Sequence, residues 1–385
     1  MNILITTPIF PPQIGGPATY TVEVARRLQQ KGHKIRIVAF TDDQPYSEDL
    51  ETIPVRIKYP ILGTLLRQIK LLSTLLSAVK GMDLIYMQDP MVVGVASLLV
   101  GKLTGKPLVL KFVGDSVWEK EFSFRRTDEY LDDFLKLPPK SLLLRFRISL
   151  LKFVFGRMSR IIVPSFYLRD MLIRHYGVKP GKVAVVYNSV DSKSIEKIKR
   201  GRREKKGTKI ITVGRIVRHK RMGDIITALH KLSLKFPDIN LTVVGDGPEK
   251  AELERLVERM GMVQQVQFCG SINHNETLEL LKTADVFVLN STYEGLPHTV
   301  IEAMACSVPV IATGIRGTDE VIDDGRTGLL LPLDDEQVLV YAIAKLLEDK
   351  KLAERLAEQA LAVVSEKFSW DNNLVKLEAE LEKVI

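Results

Sequence analysis

Cysteine is nearly missing: the chain has two in 385 residues, Cys269 and Cys306, each among apolar neighbours. So few thiols exclude a disulfide scaffold and a thiolate metal site, and fit a reducing compartment. The six histidines are scattered without H-x-x-x-H or H-E-x-x-H spacing, so no zinc enzyme is signalled. No Walker A stretch occurs, which argues against a P-loop NTPase. The longest apolar run, Met91 to Val100, is about half of what a membrane span needs. The chain opens as a strand, Asn2 to Thr7, without the basic start and cleavage site of a signal peptide. The expectation is a cytoplasmic protein, in which Asn-x-Ser/Thr triplets such as Asn290 to Thr292 are chance.

Apolar residues make up 45% of the chain and charged residues 26%, enough for more than one core under a soluble surface. The net charge of +8 is uneven. Residues 1–190 carry 27 Lys and Arg against 16 Asp and Glu, a net +11, and the remainder carries 28 against 31, a net −3. Different partners for the two halves follow. Strand-like runs are predicted at 2–7, 33–40, 55–59, 84–88, 108–113, 160–164 and 183–187. In the second half they fall at 209–213, 240–244, 266–269, 286–290, 309–313 and 328–331. Many are unbroken Val/Ile/Leu runs, as in parallel strands buried on both faces. Helical patterns such as 17–31, 222–236, 248–260, 275–283 and 335–348 alternate with them. That alternation predicts an α/β chain of two Rossmann-like, doubly wound parallel-sheet domains facing across a cleft. The break is placed at the apolar-poor stretch 191–207, which holds eight Lys and Arg and is read as a solvated linker. It contains no aromatic residue and no RNP-type motif, so nucleic acid is not an expected partner. The expected domains are 1–190, joined by a closing helix at 370–385, and 191–369.

Ligands of open α/β sheets bind beyond the carboxyl ends of the strands. Gly214-Arg215 follows the 209–213 run, with Lys220 five residues on; Gly245-Asp246-Gly247 follows 240–244; Gly114-Asp115 follows 108–113; and Gly15-Gly16 follows the first strand. After 286–290 comes Glu294-Gly295-Leu296-Pro297, leading to Glu302. Pro297 suits a first helical turn, which would leave the amides of His298, Thr299 and Val300 outward and unpaired for an anion. Arg215, Lys220 and a helix N-terminus converging on one spot make a diphosphate site. Read singly, the two cations could be solvated charges and the glycines mere turns. Glu302 fits a helix start structurally, yet a carboxylate also accepts both hydroxyls of a ribose. Glu294 gains less from the helix and is the stronger functional candidate. Asp115 has two readings, a contact to sugar or acceptor hydroxyls and a helix cap.

The ordered set of motifs resembles the retaining family-4 (group 1) glycosyltransferases of the GT-B fold, through nearly the whole chain. Its strongest element is Glu294-Gly-Leu-Pro followed by Glu302, similar to that family's E-x7-E motif. Pro11-Pro12 with Gly15-Gly16, Asn188-Ser-Val-Asp191, Val213-Gly-Arg215 with Lys220, Gly245 to Pro248 and Gly325 to Gly328 support it. The resemblance implies a nucleotide-diphospho-sugar donor, UDP-, GDP- or ADP-linked, bound mainly by the second domain. Arg215 and Lys220 would hold the diphosphate, Glu302 the ribose and Glu294 the sugar. The backbone near Ile272 would meet the base, and Gly15 and Gly16 would close onto the phosphates. It implies no metal and no cofactor, which agrees with the missing Asp-x-Asp pair. The family often has a histidine in the loop after 108–113; here none occurs, and Asp115 remains.

The reaction this implies is front-face transfer of a hexose-type sugar, with retention, to a glycan, lipid-linked or small-molecule hydroxyl. A nucleotide-sugar epimerase or phosphorylase of the same fold, or a non-catalytic nucleotide-sugar-binding protein, are the alternatives. Residues 140–160 have six Lys and Arg and no acid, and 61–80 likewise lacks acids. Both suit an anionic membrane surface, and hence a peripheral place on the inner face of the membrane. They equally suit helices packed on the first sheet with solvated cations.

Overall fold

A computed structural model describes residues 1–13, 15–41, 49–56, 63–201 and 207–385. Among them the Val/Ile/Leu runs form thirteen strands. The first seven are β1 (Asn2–Thr7), β2 (Lys34–Ala39), β3 (Glu51–Pro54), β4 (Leu84–Met87), β5 (Leu108–Lys111), β6 (Arg160–Val163) and β7 (Val183–Val185). They form one sheet in the order β3-β2-β1-β4-β5-β6-β7. The others are β8 (Lys209–Val213), β9 (Asn240–Val244), β10 (Val266–Gly270), β11 (Val286–Leu289), β12 (Val310–Thr313) and β13 (Leu329–Leu331), in the order β10-β9-β8-β11-β12-β13. Every pairing is parallel. Strands β4, β5, β11 and β12 are buried at every residue, because helices cover both faces of each sheet. The strand order reverses between β1 and β4, and again between β8 and β11, which makes each sheet doubly wound with a rim open to ligands.

Two expectations change. The third strand lies at Glu51–Pro54 and not at 55–59, because its register pairs Arg36 with Glu51 and Ala39 with Pro54; residues 57–59 lie outside the described residues. The stretch at 191–207 is not wholly linker. Ser192–Lys197 is a helix capped by Asp191, whose carboxylate accepts the Ser194 amide at 2.9 Å, and Ile195 is buried in the second core. Of that stretch, 202–206 lie outside the described residues.

The chain forms two compact units. The first comprises Met1–Val113, Pro138–Val186 and Asn373–Ile385, and the second Gly114–Leu137 and Tyr187–Asn372. The helix Trp370–Glu382 thus ends in the first unit, where Glu378 meets Lys31 and His33 at 2.6 Å each and Glu380 pairs with Arg160. The segment Gly114–Leu137 follows a strand of the first sheet, yet its side chains pack in the second unit. Trp118 is fully buried, stacks on Phe122 at 4.9 Å and meets the Tyr293 ring edge-on at 5.0 Å. Its indole N–H donates to the Glu129 carbonyl at 2.9 Å. Arg218 lies 4.5 Å over the Phe122 ring and donates to the Thr127 carbonyl at 3.2 Å and the Asp128 carboxylate at 2.5 Å. A buried indole with its N–H satisfied outweighs sequence adjacency in deciding where such a segment settles.

Close backbone approach at the second rim depends on glycines, Gly245 and Gly317 among them. Gly245 has φ +134, and a Cβ there would lie 1.9 Å from the Gly214 carbonyl oxygen. Gly317 has φ +90, and a Cβ would lie 2.3 Å from the Glu294 carbonyl oxygen. Gly245→Ala therefore forces the β8 and β9 loops apart, and urea unfolding should show a loss of about 3 kcal/mol or more; a variant of unchanged midpoint would contradict this packing.

Candidate functional site

The β8 loop runs from Gly214 through a 3₁₀ turn, Arg218–Lys220, to the helix Met222–Ser233. The β11 loop runs from Asn290 to Pro297 and the helix His298–Ala305. Between these two loops Lys220 Nζ lies 2.5 Å from Glu294 Oε1, with side chains only 15% and 10% exposed. Two residues chosen from separate motifs are therefore direct partners. The loops are also tied by backbone, since the Thr292 amide donates to the His219 carbonyl at 2.8 Å. The His219 ring is buried, and burial, with Lys220 and Arg215 nearby, pushes it down to about 2, so it stays neutral.

Arg215 is 59% exposed, and its Nη2 lies 2.6 Å from Glu119 Oε2. Glu119 stands on the helix Ser116–Ser123 of the same unit. Burial raises its carboxyl above the usual range, with Arg215 and Lys220 opposing. Asp115 is fully buried and caps that helix, accepting the Val117 and Trp118 amides at 3.0 and 2.9 Å. Its own amide donates to the Tyr293 hydroxyl at 3.3 Å. Of the two readings of Asp115, the structure displays the cap.

Pro297 is the N-cap of the helix His298–Ala305 and not a residue of its first turn. Its carbonyl consequently accepts the Val300 amide at 3.1 Å and the Ile301 amide at 3.3 Å. Val300 is thereby removed from the predicted trio of outward amides, which leaves His298 and Thr299 ahead of it at the helix start. Leu296 is a buried core residue, and Ile272, just beyond β10, packs half-buried on the same core. Glu302 sits in the second turn with its side chain 7% exposed, and burial pushes its carboxyl up to about 8. Two imidazoles face its Oε1: His298 Nε2 at 3.3 Å and His274 Nδ1 at 3.5 Å. Gly214 and Gly245 form the backbone contact described above.

Gly15 and Gly16 belong to the first unit, at the end of the β1 loop. Gly15 is the N-cap of the helix Gly16–Gln30, and its carbonyl accepts the Ala18 and Thr19 amides at 3.0 and 3.1 Å. Ile14 lies outside the described residues. The first rim also holds Lys111, the last residue of β5. It is buried, donates to the Val186 carbonyl at 3.2 Å and lies 4.9 Å from the Tyr20 ring centroid. Burial brings its ammonium down to about 7.

Glu119, Tyr293, His274 and Lys111 do not emerge from sequence spacing. A carboxylate four residues past a Gly-Asp turn was the one available signal for Glu119. Among the described residues, no three His, Cys, Asp or Glu gather to hold a metal ion. The second rim thus sets Lys220 against the buried Glu294, with Arg215 paired to Glu119, and places the buried Glu302 in the helix that follows the same loop. The cations suit phosphate oxygens and the acids hydroxyl groups.

Residues 193–363 match the family described as Glycosyl transferases group 1, and residues 14–194 match Glycosyltransferase Family 4. Alpha-D-kanosaminyltransferase of Streptomyces kanamyceticus is 31% identical over 160 residues, which cover 42% of each chain. N-acetyl-alpha-D-glucosaminyl L-malate synthase of Bacillus anthracis is 32% identical over 201 residues, covering 50% of this chain and 52% of the relative. The chain spans about half the length of these curated relatives. The Anabaena protein HepE, solved in complex with UDP and glucose, superposes over 100% of both chains with a TM-score of 0.76 at 20% identity, a likeness of fold. Two adjoining family regions that together run from residue 14 to residue 363, on two parallel Rossmann-like sheets, identify the chain as a member of the group 1 glycosyltransferases, with the GT-B fold.

Proposed function

We propose that the chain is a retaining glycosyltransferase that moves a hexose-type sugar from a nucleotide-diphospho-sugar to an acceptor hydroxyl, without a metal ion. The observation that carries this reading is the pairing of Lys220 with Glu294 at the reversal between β8 and β11, with Arg215 alongside. A uridine nucleotide is the favoured donor, because structures similar in fold hold UDP and UDP-glucose. Arg215, Lys220 and the first amides of the helix His298–Ala305 face the diphosphate, Glu302 the ribose and Glu294 the sugar.

The chemistry follows from charge. As the C1–O bond breaks, negative charge grows on the diphosphate and positive charge on the sugar ring. The Lys220 ammonium, already placed in the rim beside Glu294, and the Arg215 guanidinium stabilise the first. The acceptor oxygen bonds C1 on the face the diphosphate leaves, and the acceptor proton passes to the departing phosphate oxygen. Retention at C1 results without a protein nucleophile.

A glycan or lipid-linked acceptor at an anionic membrane surface belongs to the same proposal. The helix Leu142–Arg157 buries Leu144, Leu151, Val154 and Phe155 and exposes Leu142 (84%), Phe146 (63%) and Phe153 (51%). Exposed Arg145, Lys152 and Arg157 lie among them, a pattern suited to an anionic bilayer. In the other basic stretch, 61 and 62 lie outside the described residues, while Leu66 and Ile69 are half exposed. Among the described residues no helix is long and apolar enough to cross a membrane.

Three measurements test this reading. In thermal-shift titration with UDP, Lys220→Met should lower affinity about tenfold or more, because a little-exposed charged contact is lost. Arg215→Gln should lower it less, because solvent screens an exposed guanidinium. Full affinity in both variants would refute the donor site. Glu302 gives a sign-specific test. Its folded carboxyl lies near 8 against an ordinary 4.5. The protonated form is therefore favoured by folding, and the stability it contributes is complete below 4.5 and lost as pH rises through 8. Glu302→Gln keeps that stability, so its Tm advantage over the native chain should be small near pH 5, grow to pH 8 and level off above, while UDP affinity falls. A Tm deficit at pH 9, or undiminished UDP affinity, would contradict the role. Last, the chain should co-sediment at low salt with phosphatidylglycerol vesicles and not with phosphatidylcholine, and Phe146→Ser with Phe153→Ser should weaken binding; no binding to the anionic vesicles removes the membrane part.

A further inference from the structure

Each of the two cations assigned to the donor already holds a carboxylate, but the two pairs differ in kind. Lys220 and Glu294 are both little exposed and belong to loops of the same rim. Arg215 lies largely in solvent, and its partner Glu119 comes from the segment Gly114–Leu137. That segment is anchored independently of Arg215. Trp118 is buried against Tyr293, Arg218 grips Thr127 and Asp128, Tyr130 donates to Asp334 at 2.9 Å, and Arg125 meets Glu252 at 3.1 Å. The carboxylate is therefore delivered to the guanidinium by a fixed helix. Its Oε1 faces Gly114: a Cβ there would come within 3.1 Å of both Glu119 Oε1 and the Tyr293 hydroxyl. Burial disfavours a charge on Glu119, and Arg215 is the first group that offsets this.

We propose that Glu119 is a built-in competitor of the donor site, a carboxylate that contends with the diphosphate for the Arg215 guanidinium. Arg215 exchanges between the two anions by rotating its exposed side chain, while Lys220 stays in place. The competition weakens the hold on a nucleoside diphosphate and so speeds release of that product after transfer. This rests on the donor site proposed above and adds how the site is kept from binding its product too tightly.

The test is calorimetric titration with UDP, GDP and ADP, using whichever binds tightest, with the matching nucleoside as control. Glu119→Gln keeps the shape and removes the charge. It should tighten nucleoside diphosphate binding roughly fivefold, the size expected of a partly solvated ion pair. It should leave nucleoside binding unchanged. In an Arg215→Gln background the same substitution should have no effect, because the guanidinium through which it acts is gone. The proposal is overturned if Glu119→Gln binds the diphosphate no more tightly, gains equally for the nucleoside, or gains equally without Arg215. Arg215→Gln alone separates the two readings: if it keeps full affinity for the diphosphate, this inference fails, whereas the donor-site reading fails only if Lys220→Met keeps full affinity as well.

Discussion

The reversal of strand order between β8 and β11 is the constraint on which the rest depends. Adjacent parallel strands whose connections run to opposite sides leave a gap at their carboxyl ends. The loops that leave β8 and β11 are thereby forced to be neighbours, although Lys220 and Glu294 are 74 residues apart. Once the loops are neighbours, the cation of one and the acid of the other meet at 2.5 Å. The tight approach of Gly245 to Gly214 and of Gly317 to Glu294 then fixes the surrounding backbone.

The site is assembled at a cost to the resting fold. Glu302 is an acid in a buried place that raises it to about 8, and His219 is a histidine that burial keeps neutral. Neither is what packing alone would select, since an apolar residue would fill the same volume without a desolvation penalty. Such groups persist where they meet something the apolar residue could not. The imidazoles of His274 and His298 beside Glu302 supply hydrogen-bonding capacity in a position otherwise hostile to charge.

Much of the fold is legible in the sequence because buried parallel strands are unbroken Val/Ile/Leu runs, and these survive any tertiary context. Twelve of the runs coincide with strands to within about two residues, and the thirteenth, β3, is displaced because its residues Glu51 to Pro54 are polar or proline-ended edge residues. The short helix at Ser192–Lys197 is not legible, because one buried residue, Ile195, holds it down. Of the candidate site, the meeting of Lys220 and Glu294 is legible because each lies in the loop after a strand at the reversal. The amide of Val300 is not, since a shift of Pro297 by one position from first turn to cap reassigns its hydrogen bond. Glu119 and the whole segment Gly114–Leu137 are not legible either. Their place is decided by Trp118 and Arg218, whose partners lie far away in sequence.

The most direct test of the central claim is a crystal structure with a UDP-sugar whose transfer is blocked by fluorine at C2. The account predicts both phosphates against the Arg215 guanidinium, the Lys220 ammonium and the start of the helix His298–Ala305, with ribose hydroxyls on Glu302. A nucleotide bound with its phosphates away from Arg215 and Lys220 would contradict it.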